Sequence, residues 1–278
     1  MTQRFTGTEN YVATDDLKVA VNAAVTLRRP LLVKGEPGTG KTVLAHEIAN
    51  AINAPLIEWG VKSTTKAQQG LYEYDAVSRL RDSQLGDDRV HDINNYIRRG
   101  KLWEAFTAPE RSVLLIDEID RADEEFEAFL LEILSDYQVS IPELGTVSAT
   151  SIPRVILTSN GTRELSDALR RRCLYHYVDY PTPDREARIL LSRVDGLDAA
   201  LALQVAELMA GLRKEDLAKV PGVAETIDWA SALLGLGVKN LHESRELVFE
   251  TLACVLKTRE DTAKVSPEVT DRLLGKVA

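Results

Sequence analysis

The chain has 278 residues, 44% hydrophobic and 28% charged, and carries a formal net charge of −9 at pH 7. That balance fits one or two folded domains with a substantial core and excludes a disordered chain. The acidic surplus argues against broad, non-specific nucleic-acid binding, and two cysteines, Cys173 and Cys254, offer no disulfide framework.

No apolar run approaches the ~18 residues that span a bilayer. The first residues, Met1 to Phe5, lack the apolar stretch of a signal peptide. A cytoplasmic location without membrane insertion is therefore expected.

Taken in chain order, Leu31–Lys34 predicts a first strand. It runs into Gly35-Glu36-Pro37-Gly38-Thr39-Gly40-Lys41-Thr42, which matches the phosphate-binding loop G-x-x-x-x-G-K-[ST] at every specified position. Glycines let successive backbone N–H groups turn toward phosphate oxygens, and the following helix adds its positive end. Lys41 is placed to reach the β- and γ-phosphates of ATP, and the Thr42 hydroxyl to hold Mg²⁺. Leu44, Ile48, Ala51 and Ile52 then recur on one helical face, and Asn53-Ala54-Pro55 ends the helix.

A second strand is expected over Leu56–Trp59. The segment from Val61 to Arg111 is long and polar, includes the charged run Arg79–Asp92, and fits the alternation poorly. Long loops of this kind are functional or mobile.

Val113–Ile116 reads as a buried strand that ends in Asp117 and Glu118. Buried parallel strands are continuously apolar and present ligands at their carboxyl ends. Asp117 suits the Mg²⁺ shell beside Thr42, and Glu118 suits activation of a water for attack on the γ-phosphorus. The bland alternative is an acidic strand end facing solvent.

Phe126, Phe129, Leu130, Ile133 and Leu134 predict another helix, with Asp123, Glu124 and Glu125 complementing its positive end. Gln138–Pro153 contains Ile141-Pro142-Glu143-Leu144-Gly145, a turn between two short strands. The strand Val155–Thr158 leads to Asn160, whose amide could hold the attacking water or the γ-phosphate; Asn160-Gly161 is also a good turn dipeptide. Arg170, Arg171 and Arg172 follow on a short helix, and one or two of them could reach a neighbour's γ-phosphate, Arg172 before Arg171 because it sits nearest the following strand; a solvated basic cluster is the competing reading.

After a last strand, Tyr175–Val178, the sequence Pro181-Thr182-Pro183 marks a boundary. Beyond it, Leu201, Val205, Leu208, Met209 and Leu212 form one helical stripe, and Val248, Leu252, Val255 and Leu256 another. The fold class is α/β, with residues 1–182 as an ATPase core and 183–278 as a helical domain.

This ordered set resembles the AAA+ ATPases, and within them the MoxR family, in particular the CoxD-like branch associated with carbon monoxide dehydrogenase maturation. The closer likeness lies in Lys62–Asp75 and Asp117-Glu118-Ile119-Asp120-Arg121-Ala122. The resemblance implies an αβα P-loop core with a parallel sheet and a small C-terminal helical lid. It implies that Gly35 to Thr42 are Walker A, Asp117 and Glu118 Walker B, Asn160 sensor 1, and Arg172 or Arg171 a finger acting in trans. Tyr11 and Val12 would line the adenine pocket.

The segment after Trp59 would hold the helix-2 insert, and the turn near Pro142 the hairpin before sensor 1. The stretch Pro221–Trp229 lacks the basic residue that many relatives place there as sensor 2. Either Arg213 or Lys214 takes that role, or the lid couples weakly to the γ-phosphate.

A homo-oligomeric ring, hexameric by resemblance, would act on a client protein with a von Willebrand factor A domain partner, without stable nucleic-acid binding. The rival readings are a nucleic-acid-associated AAA+ ATPase, a P-loop small-molecule kinase, and a nucleotide-binding module without turnover.

Overall fold

A computed structural model describes residues 4–8, 11–141 and 145–277. The described residues of Met1–Thr6, Thr14–Lys34 and Thr42–Tyr177 form one compact unit, and those of Gly7–Ala13, Gly35–Lys41 and Val178–Ala278 form another.

The strands in chain order are β1 (Leu31–Gly35), β2 (Leu56–Gly60), β3 (Tyr72–Tyr74), β4 (Ile97–Arg99), β5 (Val113–Asp117), β6 (Gln138–Ile141), β7 (Gly145–Ser148), β8 (Arg154–Ser159) and β9 (Leu174–Val178). The five strands expected from apolar runs all form, and they share one sheet in the order β2-β5-β8-β1-β9. Pairing of β2 with β5, β5 with β8 and β8 with β1 is parallel.

Val113 to Ile116 of β5 and Val155 to Ser159 of β8 are buried along their length, so both faces of the sheet are covered, which continuous apolar strands require. The register sets Trp59 opposite Ile116 and Lys34 opposite Ser159, so the polar residues that close these strands gather at the carboxyl edge.

The helices of this unit are α1 (Asp15–Leu27), α2 (Lys41–Ala51), α3 (Ala76–Leu85), α4 (Lys101–Phe106), α5 (Glu124–Asp136) and α6 (Asp167–Arg172). Leu44 and Ile48 of α2 are buried as their spacing predicts. The helix ends where Asn53 turns left-handed at φ 48° and Pro55 blocks continuation. On α5, the Asp123 carboxylate accepts from the Phe126 amide at 2.8 Å, capping the helix while Phe126, Leu130 and Ile133 enter the core. Trp59 packs on Phe126 with ring centroids 5.0 Å apart.

The segment from Val61 to Arg111, expected as a long polar loop, is structured. Strands β3 and β4 pair antiparallel, Tyr72 opposite Arg99, and the Tyr96 hydroxyl donates to the buried Asp82 carboxylate of α3 at 2.9 Å. Gly100 permits this fold-back: a Cβ there would lie 2.3 Å from the Gln69 carbonyl oxygen. Its three-residue strands are too short to leave a period-2 signal, and α3 exposes Val77, Leu80 and Leu85, so no apolar face reads as core. Strands β6 and β7 pair antiparallel as expected, while Pro142 to Leu144 of the intervening turn lie outside the described residues.

The other unit is built on α7 (Pro183–Arg193), α8 (Ala199–Leu212), α9 (Val223–Gly235), α10 (Arg245–Thr251), α11 (Arg259–Lys264) and α12 (Pro267–Leu274). The stripe on α8 is buried at all five expected positions. The stripe from Val248 to Leu256 is buried too, but α10 stops at Thr251, a 3₁₀ turn over Leu252–Cys254 carries Leu252, and Val255 and Leu256 follow that turn. Trp229 fills the centre of this helical core, fully buried, and its indole N–H donates to the Thr251 hydroxyl at 2.9 Å. No helix among the described residues is long and apolar enough to cross a membrane.

Candidate active site

In the sheet-containing unit the chemistry-bearing residues gather at the ends of β5 and β8. Thr42, on the first turn of α2, holds its hydroxyl 3.2 Å from both carboxylate oxygens of Asp117. A hydroxyl and a carboxylate facing each other are hard oxygen donors of the kind Mg²⁺ takes, with its other positions left to water and phosphate. The residues present therefore fit the ion.

Thr158 was not singled out by the sequence, yet it ties this edge together. Its hydroxyl donates to Asp117 Oδ1 and accepts from the Glu118 amide at 2.9 Å. A threonine inside an apolar strand, one residue before its polar end, is the signal that could have flagged it. Buried hydroxyls need partners, and here the partner is the Asp117 carboxylate.

Glu118 itself sits in the left-handed region at φ 59°, ψ 46°, an uncommon conformation for a residue with a side chain. The turn aims its carboxylate at Asn160, whose amide nitrogen donates to Glu118 Oε1 at 3.2 Å. The other oxygen meets Arg121 Nε at 3.1 Å, with both side chains partly exposed.

Asn160 is held in turn by Asp120. The buried Asp120 carboxylate accepts from the Asn160 amide at 3.2 Å, the Thr162 amide at 2.9 Å and the Thr162 hydroxyl at 2.6 Å. Burial pushes this carboxyl upward, but the hydrogen bonds from Thr162 and Asn160 outweigh it and hold the group below the usual carboxylate range. Asp120 lies in a run of acids, which hides its role from sequence.

The arginine helix α6 is anchored by Glu127, which is buried, pairs with Arg163 and accepts from the Ser166 amide at 2.8 Å. Arg29 donates to the carbonyl oxygens of Arg171, Arg172 and Cys173 and so fixes the end of the same helix. The Arg172 guanidinium donates to the Ser135 hydroxyl on α5, and Arg170 pairs with Asp167. The Arg171 side chain is exposed and makes no hydrogen bond or ion pair with another described residue.

The phosphate-loop residues Gly35 to Lys41 belong to the helical unit. Gly38 and Gly40 take φ of 74° and 86°, a backbone that side chains resist and that turns the loop's amides in one direction. Lys41 is buried, and its ammonium donates to the carbonyls of Gly35 at 2.7 Å and Glu36 at 2.6 Å. Thr42, which follows Lys41 directly in the chain, carries the motif into the Asp117 cluster.

Tyr11 is buried, which pushes its hydroxyl up to about 12, and its ring is the nearest group to a Cβ placed on Gly40, at 3.6 Å. Arg185 grips the Val12 carbonyl from Nη2 at 2.8 Å.

At the start of α9 the Val223 amide donates to the Gly38 carbonyl at 3.1 Å, and Gly222 leaves room for this approach: a Cβ there would stand 2.8 Å from the Pro37 carbonyl oxygen. Arg213, one of the two cations considered for the sensor 2 position, is tied up elsewhere. It forms two hydrogen bonds to the buried Glu186 at 2.6 and 2.7 Å and stacks on Tyr180 with its guanidinium carbon 4.6 Å from the ring centre.

The family description "AAA domain (dynein-related subfamily)" matches residues 30–173, just over half of the chain, from β1 to the end of the arginine helix. The chain belongs to the AAA domain family. This AAA protein is accordingly an ATP hydrolase of the AAA+ type, with an α/β P-loop core.

It is 24% identical over 261 residues to the gas vesicle ATPase GvpN of Haloferax mediterranei, a match covering 89% of this chain and 74% of that one. It is 26% identical over 218 residues to the ATP-dependent zinc metalloprotease FtsH of Helicobacter pylori, covering 72% of this chain but only 30% of that protein. In fold it is similar to the RuvB Holliday junction branch migration motor of Thermotoga maritima, with TM-score 0.54 and 17% identity over 97% of this chain and 76% of that one.

Proposed function

We propose that this AAA protein hydrolyses Mg-ATP in a ring whose sites are completed by a neighbour's arginine, and that turnover remodels or activates a client protein. The observation that carries the reading is the hydrogen bond from Asn160 to Glu118, beside Thr42 and Asp117. An amide that holds a carboxylate next to a metal-binding pair is the arrangement water activation needs. When bound, Mg²⁺ would be held by Thr42 and Asp117 and would neutralise charge developing on the phosphates.

Gly35 to Lys41 would cradle the phosphates, with Lys41 leaving its carbonyl partners for the β- and γ-phosphate oxygens. Glu118 would take the proton of the attacking water, and Asn160 would orient that water or the γ-phosphate. Tyr11 and Val12 would flank the adenine. The boundary between core and lid near Tyr180–Pro183 belongs to the same reading.

Among the described residues none partners the Arg171 side chain, which favours it over Arg172 as the finger, since a side chain already tied to Ser135, as Arg172 is, must first release. The likeness to a gas vesicle ATPase supports turnover and, with the Lys62–Asp75 stretch, placement in the MoxR family. The CoxD-like branch, a hexamer, a metalloenzyme client and a von Willebrand factor A partner are carried by that resemblance.

Glu118→Gln tests the core of the reading. ATP binding should persist while kcat falls about 10²–10⁴-fold, the usual worth of a general base; undiminished turnover removes Glu118 from the chemistry. Arg171→Ala mixed with a Lys41→Ala chain should regain activity, because each retains what the other lacks. Failure of every mixing ratio, together with full activity of Arg171→Ala alone, would defeat the shared-site proposal.

A further inference from the structure

At the amino-terminal end of the sheet, away from the Asp117 cluster, Leu31 opens β1, Arg154 opens β8 and Arg111 precedes β5. A cleft there is lined by Arg28, Arg111 and Arg154, and by the partly exposed aliphatic side chains of Val25 and Ile152. Its lining contains no carboxylate. Arg29 also lines it, but that guanidinium is tied to the carbonyls that end α6.

The other three are different. Among the described residues, none supplies an ion pair or hydrogen bond to the side chains of Arg28, Arg111 or Arg154, and the buried Arg154 Nε is left with no acceptor at all. Burial, followed by the like charge of Arg111, lowers the affinity of Arg154 for its proton.

A buried donor without a partner, next to a second uncompensated cation, is costly, whereas Arg163, Arg170 and Arg213 each meet a carboxylate. An incoming anion would satisfy the donor and relieve the repulsion together, and guanidiniums favour the planar carboxylate.

We propose that this cleft docks an acidic peptide segment, placing one carboxylate on Arg111 and Arg154 and an adjacent aliphatic side chain against Val25 and Ile152. Charge complementarity selects the carboxylate, and the aliphatic wall selects a neighbour that a free anion lacks. A nucleic-acid backbone fits less well, because it offers no aliphatic group to Val25 and Ile152.

The test uses the full chain and a fluorescein-labelled Glu-Leu-Asp-Leu-Glu peptide, read by anisotropy in low salt. Saturable binding is expected, weakening at least tenfold with Arg111→Gln or Arg154→Met and with the Gln-Leu-Asn-Leu-Gln peptide. Arg154→Met keeps the aliphatic stem and removes the orphaned donor, so its thermal midpoint should equal or exceed that of the parent. Unchanged ATP binding confirms that both variants fold.

No saturable binding, or equal binding by the Arg111→Gln/Arg154→Met double variant, overturns the proposal. Equal binding of Glu-Gly-Asp-Gly-Glu, or full displacement by equimolar inorganic phosphate, overturns the peptide in favour of a bare anion site.

Discussion

Two arginine–glutamate pairs in this molecule have opposite fates. Arg121 and Glu118 meet at 3.1 Å with side chains 52% and 33% exposed, at the edge of the sheet. Arg213 and Glu186 meet at 2.6 Å with side chains 6% and 0% exposed, inside the helical unit. Water screens the first pair, so it can break and re-form at little cost. The second is sealed in, with Thr226 and the Pro221 carbonyl completing its hydrogen bonds, so neither partner is available for chemistry. Burial, rather than residue type, separates a charge that works from a charge that holds.

The sharpest way to break that contrast is to remove one partner from each pair. Arg213→Ala strands Glu186 in an apolar core and should cost about 3–5 kcal/mol of unfolding free energy, measurable by urea denaturation. A loss below about 1 kcal/mol would mean the Arg213–Glu186 pair is as soft as the surface one.

Thr158→Val comes next. It removes the hydroxyl that joins Asp117 to the Glu118 amide and should cost about 1–3 kcal/mol, together with a fall in ATPase activity. Normal kcat in this variant would show that Asp117 and Glu118 hold their places unaided.

Acid distinguishes Asp120 from its exposed neighbours. Its folded-state affinity for a proton is depressed, so its contribution to stability is complete above the ordinary value of 3.8 and is lost as pH falls below it. Asp120→Asn should flatten the decline in stability as pH falls below about 3.8 and weaken the placement of Asn160. An unchanged slope would detach Asp120 from the loop that holds Asn160. The smallest effect belongs to Arg121→Ala, at most about 1 kcal/mol, read from the same denaturation curves.

Much of this architecture was legible because its signals are local. Apolar runs marked all five strands of the sheet, and the 3.6-residue stripes marked α2, α5 and α8 to within a turn. Where the reading fell short, the elements lacked such signals. The three-residue strands β3 and β4 are too short for periodicity, and α3 exposes its apolar residues.

The site divides along the same line. Gly35 to Thr42, Asp117, Glu118 and Asn160 stand out because each sits at a motif-bearing strand end. Thr158, Asp120 and Arg213 do not, since a hydroxyl in an apolar strand, an acid among acids and an arginine on a helix look ordinary until their partners are known.

By itself the sequence determined the alternation of strands and helices and the phosphate loop, because hydrophobic period and glycine placement act over a few residues. Only the tertiary structure decided which polar groups are paired, which are sealed and which are left wanting. Arg28, Arg111 and Arg154 are far apart in the chain yet line one cleft, and Asp120 reaches Thr162 across 42 positions. Desolvation and hydrogen bonding depend on neighbours in space, and those neighbours exist only once the sheet has set its strand order.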